Sequence, residues 1–192
     1  MPTYGGGMEI FMLYMFLANG FEETEAIGCL DVIRRAQIEI KTVGISGKEI
    51  TGSHGVCVVA DLGADEISFD GLDGVILPGG MPGTTNLQAD ETVINAVKFC
   101  AEQGKLVAAI CAAPMILGQL GILEGKMAVC YPGFEEHLKG ATVDANALVA
   151  IDGNIITGRG AGAAMLFGAR IADWFKAGAG QDILDQMQHP IV

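Results

Sequence analysis

The chain has 192 residues, of which 51% are hydrophobic and 18% are charged, and an excess of acidic residues gives it a net charge of -12. Such a high apolar content with so little charge excludes a disordered chain. An acidic chain without a basic cluster is a poor binder of nucleic acid or of an anionic membrane surface, so we expect neither partner. The length fits one domain with a sizeable core.

The two ends of the chain give the expected domain limits. We interpret residues 1–7, which include three consecutive glycines, as a flexible extension, and residues 8–192 as a single domain. The apolar run 10–18 is shorter than the about 20 residues of a membrane helix. No basic residue precedes Arg34, so the sequence lacks the start of a signal peptide. Five cysteines without a CxxC pair favour free thiols in a cytoplasmic setting.

Apolar runs and turn residues alternate along the chain. Strands are predicted over 9–18, 38–43, 56–60, 74–77, 106–110 and 127–130, and a hairpin over 147–151 and 155–157. Helices are predicted over 22–36, 90–103, 112–120 and 163–177, with a last short helix over 180–187. Because most strands are apolar on both faces and alternate with helices, the pattern predicts an α/β sandwich around a mostly parallel sheet. Sites in such sheets form at the carboxyl ends of the strands.

Cys111 is the strongest single candidate for chemistry. It follows the apolar strand 106–110 directly, and Ala112, Ala113 and Pro114 come after it, so the chain has room to turn sharply from strand to helix. A side chain at such a turn points out of the sheet, and a helix N-terminus behind it favours the thiolate. A buried packing cysteine gives the same pattern. The other four cysteines, Cys29, Cys57, Cys100 and Cys130, are predicted to be packing residues.

Two further segments end strands close to this position. Pro78, Gly79 and Gly80 follow the strand 74–77, and successive glycine amides form either an anion-binding nest or a plain tight turn. The segment 20–25 carries three carboxylates after the first strand, and one of them, if pointed at the sheet end, would exchange a proton with the thiol. Spacing alone does not say which one.

The remaining polar motifs carry weaker signals. The three histidines show no metal-ligand spacing, so no metal is expected. The glycine-rich segment 158–162 lacks the spacing of a phosphate loop. We interpret it as a tight strand-to-helix turn, with Arg159 available for a salt bridge.

Taken together, these segments resemble the ThiJ/PfpI superfamily and its DJ-1-like branch, the branch of the Parkinson disease protein deglycase. The resemblance covers the chain from Met8 to about Ala177. It rests on the segments 17–25, 31–36, 77–80, 108–114 and 157–162, and their order and spacing make it specific.

The resemblance implies a flavodoxin-like three-layer α/β/α sandwich of the class I glutamine amidotransferase type, usually a homodimer. Cys111 would be the reactive elbow cysteine, and protonated Glu25 would hydrogen-bond its sulfur. The oxyanion or substrate site would be formed by Gly79, Gly80 and Ala112. Arg35 would lie at the dimer interface near the site. No cofactor is implied.

Two departures from the family pattern bear on function. The protease-like branch has His after the cysteine, whereas this chain has Ala112, which disfavours a Cys–His protease. A His before Pro at the next strand end is replaced by Tyr131 before Pro132. No site histidine is therefore assured, although His54 is a candidate to approach from a partner subunit, and proton transfer would fall to Glu25.

Two function hypotheses follow. The first is a cofactor-independent glyoxalase or deglycase, in which the Cys111 thiolate attacks a small carbonyl such as methylglyoxal or its adducts. The second is an oxidative-stress sensor or chaperone-like protein, in which Cys111 is oxidised to a sulfinate that Glu25 stabilises.

Overall fold

The computed structural model describes residues 11–190. The extension predicted for residues 1–7 lies outside them. Strands account for eleven short segments: β1 (Met12–Leu17), β2 (Glu39–Gly44), β3 (Glu49–Thr51), β4 (Cys57–Val59), β5 (Leu62–Gly63), β6 (Leu72–Leu77), β7 (Leu106–Ile110), β8 (Met127–Ala128), β9 (Thr142–Val143), β10 (Val149–Asp152) and β11 (Ile155–Gly158). The α-helices are α1 (Glu23–Arg35), α2 (Gly83–Ala89), α3 (Glu91–Glu102), α4 (Pro114–Gln119), α5 (Ala164–Phe175) and α6 (Ala179–Gln186).

Seven strands form the central sheet, in the order β10-β11-β7-β6-β1-β2-β5. All neighbours are parallel except the hairpin of β10 and β11. The inner strands are apolar on both faces because both faces are covered. Leu13 and Met15 of β1 face the layer of α1, α5 and α6, while Tyr14 and Phe16 face the layer of α2, α3 and α4. The predicted α/β sandwich with a mostly parallel sheet is confirmed.

The long elements lie where the sequence predicts them, and the differences concern short ones. Strand β7 has the predicted bounds, and α1 differs by one residue at each end. Helix α2 and strand β3 were not predicted, because a seven-residue helix and a three-residue strand are too short to show a period. None of the described helices has both the length and the apolar character needed to cross a bilayer.

Helix α1 matters most for the site, and its start is fixed locally. Glu22 caps it by accepting a hydrogen bond from the Thr24 amide at 3.3 Å. Acidic residues occupy the first turn, and Arg34 and Arg35 the last, as the helix dipole favours. This places Glu25 at the end of the helix that meets the carboxyl ends of the strands.

Candidate active site

The candidate residues collect where the strand order reverses. Strand β2 lies on one side of β1, and β6, the next long strand of the sheet, lies on its other side. In open α/β sheets, ligands bind at the carboxyl ends of the strands beside such a switch point. The start of α1 and the turns after β6 and β7 meet there, and they carry Glu25, Gly79–Gly80 and Cys111.

Cys111 occupies a left-handed backbone conformation, with φ of +66°. A non-glycine residue in this region carries strain, so the surrounding contacts must hold it there. Its amide donates to the Gly158 carbonyl at 2.9 Å, and its carbonyl accepts from the Tyr131 amide at 2.8 Å. These bonds fix the sharp turn expected from the sequence, and Cys111 keeps partial exposure.

Two backbone amides are directed at the Cys111 sulfur, those of Gly80 and Ala112. Gly80 has φ of +89°, and a Cβ on it would lie 2.4 Å from the Glu22 nitrogen and 2.6 Å from the Gly20 oxygen. Only glycine fits this position, because any side chain would collide with the loop after β1. The two amides form a small anion-stabilising site around the sulfur.

Glu25 is the carboxylate that reaches the thiol. Its side chain is buried, with 1% of the residue exposed, and Oε2 accepts a hydrogen bond from the Gly79 amide at 2.8 Å. A Cβ on Gly79 would lie 2.6 Å from the Cys111 Cβ and 2.7 Å from Glu25 Oε2, so the bare backbone of Gly79 packs closely against both groups. The Gly79 amide therefore orients Glu25, whereas the sequence grouped it with the oxyanion amides.

Burial raises the pKa of the Glu25 carboxyl to about 7, and the nearby charge of Glu22 adds to this. Hydrogen bonds from the Cys111 thiol and the Gly79 amide oppose the rise. A carboxyl with this pKa both holds and releases a proton near neutral pH, which suits general acid–base work.

The pKa of the Cys111 thiol is raised to about 12 by burial, by the charge of Glu25 and by the hydrogen bond to Glu25. The Gly80 and Ala112 amides oppose this rise. The sequence predicted a lowered thiol pKa, and the structure points the other way. Helix α4 begins only at Pro114, three residues later, while a carboxylate faces the sulfur. When the proton sits on Glu25, that repulsion is absent, so the two groups titrate as a pair.

Of the other predicted site residues, some lie near Cys111 and one lies far from it. Tyr131 is bonded to Cys111 through its backbone, and with Pro132 it lines an open groove of about 340 Å³. Arg35 lies far from Glu25, because ten residues of α1 separate them by about 15 Å. Its side chain pairs with Asp31 at 2.8 Å. Within this chain Arg35 is therefore not beside the site.

His54 lies on the β3–β4 hairpin and contacts acids of its own chain. Its Nδ1 lies 2.9 Å from Glu23 Oε2 and 3.3 Å from Glu22 Oε2. The hydrogen bond with Glu23, together with both negative charges, raises the pKa of His54. His54, Glu22 and Glu23 are also a possible metal-ligand group, with ligand atoms within 4.8 Å of one another. The Nδ1 atom of His54 is engaged with Glu23, and the observed role of the group is to tie the hairpin to α1.

The other four cysteines contrast with Cys111. Cys29, Cys100 and Cys130 are buried, and burial raises the pKa of each thiol, to about 12 for Cys100 and about 11 for Cys130. Packing is thus their evident role. Cys57 is exposed on β4, which differs from the packing role predicted for it.

The fold and the site define an α/β sandwich with a strained cysteine at a strand-to-helix turn. The model of the DJ-1/PfpI family matches residues 12–173, and the chain belongs to this family. It is 36% identical over 162 residues to the protein dj-1beta of Drosophila melanogaster, covering 83% of this chain and 86% of that protein. The crystal structure of Drosophila DJ-1beta superposes with a TM-score of 0.88 at 31% identity, covering 95% of this chain and 100% of that one.

Two further relatives differ in length and in name. The DJ-1 homolog B of Arabidopsis thaliana is 36% identical over 159 residues, which cover 82% of this chain but only 36% of that protein. The chain therefore spans about a third of that relative. A protein of Pyrococcus abyssi that is named a deglycase is 33% identical over 143 residues, covering 74% of this chain and 86% of that protein.

Proposed function

We propose that the protein is a cysteine-dependent glyoxalase or deglycase that acts on methylglyoxal-type carbonyls or their adducts. The observation that carries the proposal is the pairing of a strained, partly exposed Cys111 with a buried Glu25 whose pKa is raised to about 7. Relatives that are named deglycases support the same class of reaction.

The proposed reaction begins when Glu25 accepts the thiol proton. The Cys111 sulfur then attacks the aldehyde carbon of methylglyoxal, and the aldehyde oxygen takes the proton from Glu25 to give a hemithioacetal. The Gly80 and Ala112 amides, which are directed at the sulfur, would stabilise the negative charge that develops beside it.

The second half moves a proton between two carbons. Glu25 removes the proton from the former aldehyde carbon and returns it to the neighbouring carbon through an enediol, so the first carbon is oxidised and the second reduced. The resulting lactoyl thioester is cleaved by water to lactate and the free thiol. A carboxyl with a pKa near 7 serves both directions of transfer.

The test is lactate formation from methylglyoxal by the purified protein. We expect turnover by the wild type and its loss in Cys111→Ala. Cys57→Ser, which removes an exposed thiol elsewhere, is the matched control and should keep the wild-type rate. Equal activity, or equal inactivity, of wild type and Cys111→Ala would contradict the proposal.

A second candidate function is that of an oxidative-stress sensor or chaperone-like protein, and the amides around the sulfur favour it. Two molecules of hydrogen peroxide would convert the Cys111 thiolate to a sulfinate with release of two molecules of water. The Gly80 and Ala112 amides and protonated Glu25 would hydrogen-bond the new oxygens. Mass spectrometry after mild peroxide should find two added oxygens on Cys111 before any other cysteine. Uniform oxidation of all five would exclude this role.

We also propose a homodimer, on the basis of an apolar patch beside the site. Ile27, one turn after Glu23 on α1, is exposed, and so are Val56 and Val59 of the β3–β4 hairpin that Glu23 binds, with Val59 72% exposed. Exposed apolar clusters of this kind favour association. Sedimentation should give a dimer for the wild type and a monomer for Val59→Lys. Ile151→Lys, on the edge strand β10, should stay dimeric.

A cytoplasmic location is proposed from the thiols. All five cysteines are free, which suits a reducing compartment. Cell fractionation with a specific antibody tests this, and recovery outside the cytoplasm would contradict it.

A further inference from the structure

Arg159 differs from the other arginines in having no acidic partner. Arg34, Arg35 and Arg170 each lie within 3.2 Å of an aspartate oxygen. Within residues 11–190, no carboxylate lies within 4.0 Å of the Arg159 side chain, and no hydrogen bond of its guanidinium is present. Arg159 is nevertheless partly buried. A guanidinium that has no acceptor within the described residues can bind an anionic acceptor from outside the chain.

The Arg159 side chain lines the groove of about 340 Å³ that Tyr131 and Pro132 also line. The rest of the groove is formed by Leu148 and by the turn 160–163, which consists only of glycine and alanine. The Tyr131 ring lies over Gly160, where an added Cβ would be 3.3 Å from the ring carbon Cδ2. The groove thus has an aromatic wall, small backbone-lined surfaces and one unpaired cation.

This groove adjoins the reactive cysteine on two sides. The Cys111 amide donates to the carbonyl of Gly158, the residue before Arg159, at 2.9 Å. The Cys111 carbonyl accepts from the Tyr131 amide at 2.8 Å. Because the residues on both sides of the groove are bonded to the backbone of Cys111 or adjoin a residue that is, the groove lies next to the turn that carries the reactive cysteine.

We propose that Arg159 forms an anion subsite, and that the preferred substrates are small carbonyl compounds with a carboxylate or phosphate group. The carbonyl carbon would face Cys111 while the anionic group binds Arg159, whose planar guanidinium matches both groups in a bidentate manner. In a chain with a net charge of -12, an unpaired arginine at the site is what an anionic substrate requires. This specificity rests on the proposed function, but the subsite can be tested without turnover.

The test compares two alkylating reagents of similar size, anionic iodoacetate and neutral iodoacetamide. In both, the Cys111 sulfur displaces iodide from a methylene carbon, so a changed thiolate fraction alters both rates alike. The ratio of the iodoacetate rate to the iodoacetamide rate therefore reports anion recognition. We expect Arg159→Gln to lower this ratio about tenfold, the scale of a charge-assisted hydrogen bond. Arg159→Lys should retain part of it.

Lys98→Gln is the matched control, because it removes one positive charge from the exposed face of α3 and should leave the ratio unchanged. An unchanged ratio in Arg159→Gln, or an equal fall in Lys98→Gln, overturns the proposal. Equal melting temperatures of the variants confirm that the groove is compared in folded proteins.

Two competing ions distinguish the anionic groups. Inorganic phosphate or acetate should slow alkylation of the wild type by iodoacetate and have no such effect on Arg159→Gln. Stronger protection by phosphate assigns phosphate-bearing substrates, and stronger protection by acetate assigns carboxylates. Protection by neither ion contradicts the subsite. A lowered ratio without lactate formation would refute the glyoxalase proposal alone, whereas lactate formation with an unchanged ratio would refute the subsite alone.

Discussion

Two glutamates on different faces of the first turn of α1 have pKa values that are shifted in opposite directions. Glu23 faces the β3–β4 hairpin, and Glu25, two residues later, faces the end of the sheet. The pKa of Glu23 is lowered to about 2, because hydrogen bonds from the His54 ring and from the His54 and Val56 amides outweigh its partial burial. The pKa of Glu25 is raised to about 7 by burial.

Because both residues lie at the N-terminus of the same helix, the helix dipole does not explain the difference. What differs is the burial of each carboxylate, which is partial for Glu23 and nearly complete for Glu25, and the number of its donors. Glu23 Oε1 accepts from the His54 amide at 2.7 Å and from the Val56 amide at 3.3 Å, and Oε2 faces the His54 ring. Glu25 has one backbone donor, the Gly79 amide, and a thiol. A carboxylate with too few donors keeps its proton, and this is how the fold produces an acid–base group.

The largest expected effect comes from removing the proton carried by Glu25. Glu25→Gln keeps the size of the side chain but cannot exchange a proton, so kcat/KM for methylglyoxal should fall about 10²- to 10⁴-fold. Glu23→Gln should change it less than about threefold, because that carboxylate does not face the sulfur. Steady-state lactate assays of the three proteins measure this, and equal losses in both variants would contradict the division of roles.

The raised pKa of Glu25 also predicts how the stability of the fold depends on pH. A carboxyl whose folded pKa is raised from 4.5 to about 7 stabilises the fold below pH 4.5 and loses that contribution as the pH rises to 7. The free energy of unfolding of the wild type should therefore fall by on the order of 3 kcal/mol between pH 4.5 and 8 through Glu25. In Glu25→Gln this part of the fall should be missing. Urea unfolding across this range measures it, and identical pH profiles would refute the raised pKa.

The next expected effect concerns Gly79, which packs against both Cys111 and Glu25. Gly79→Ala would push a methyl group against the Cys111 Cβ and Glu25 Oε2, at 2.6 and 2.7 Å, so we expect a loss of about 1–3 kcal/mol and of most activity. Gly28→Ala is the control on the same helix as Glu25. There the tightest contact of the new Cβ is the flexible end of Met165 at 3.3 Å, with an ordinary contact to the Ala164 Cβ at 3.5 Å, and stability should stay within about 1 kcal/mol. Wild-type stability and activity in Gly79→Ala would show that Cys111 and Glu25 are not packed closely against Gly79.

The sequence predicts much of the fold and of the position of the site, but it does not determine the pKa values of the site residues. Apolar runs predict β7 and the turn at Cys111, since strand burial is a local pattern. The identity of the buried acid came only from the family resemblance. The direction of the thiol pKa was predicted wrongly, because it depends on a carboxylate 86 positions away in the chain. The groove around Arg159 was missed for the same reason, as Tyr131 and Leu148 join it through tertiary contacts.

The smallest expected effect concerns the hairpin side, and it separates the two acids without an activity assay. The pKa of His54 is raised by Glu23 and Glu22, and Glu25 does not contribute. In an NMR titration, Glu23→Gln should return the His54 pKa toward its ordinary value, while Glu25→Gln should leave it raised. A His54 pKa that moves equally in both variants would mean that the two faces of the turn share one electrostatic environment. The raised pKa of Glu25 would then not result from the burial of Glu25 itself.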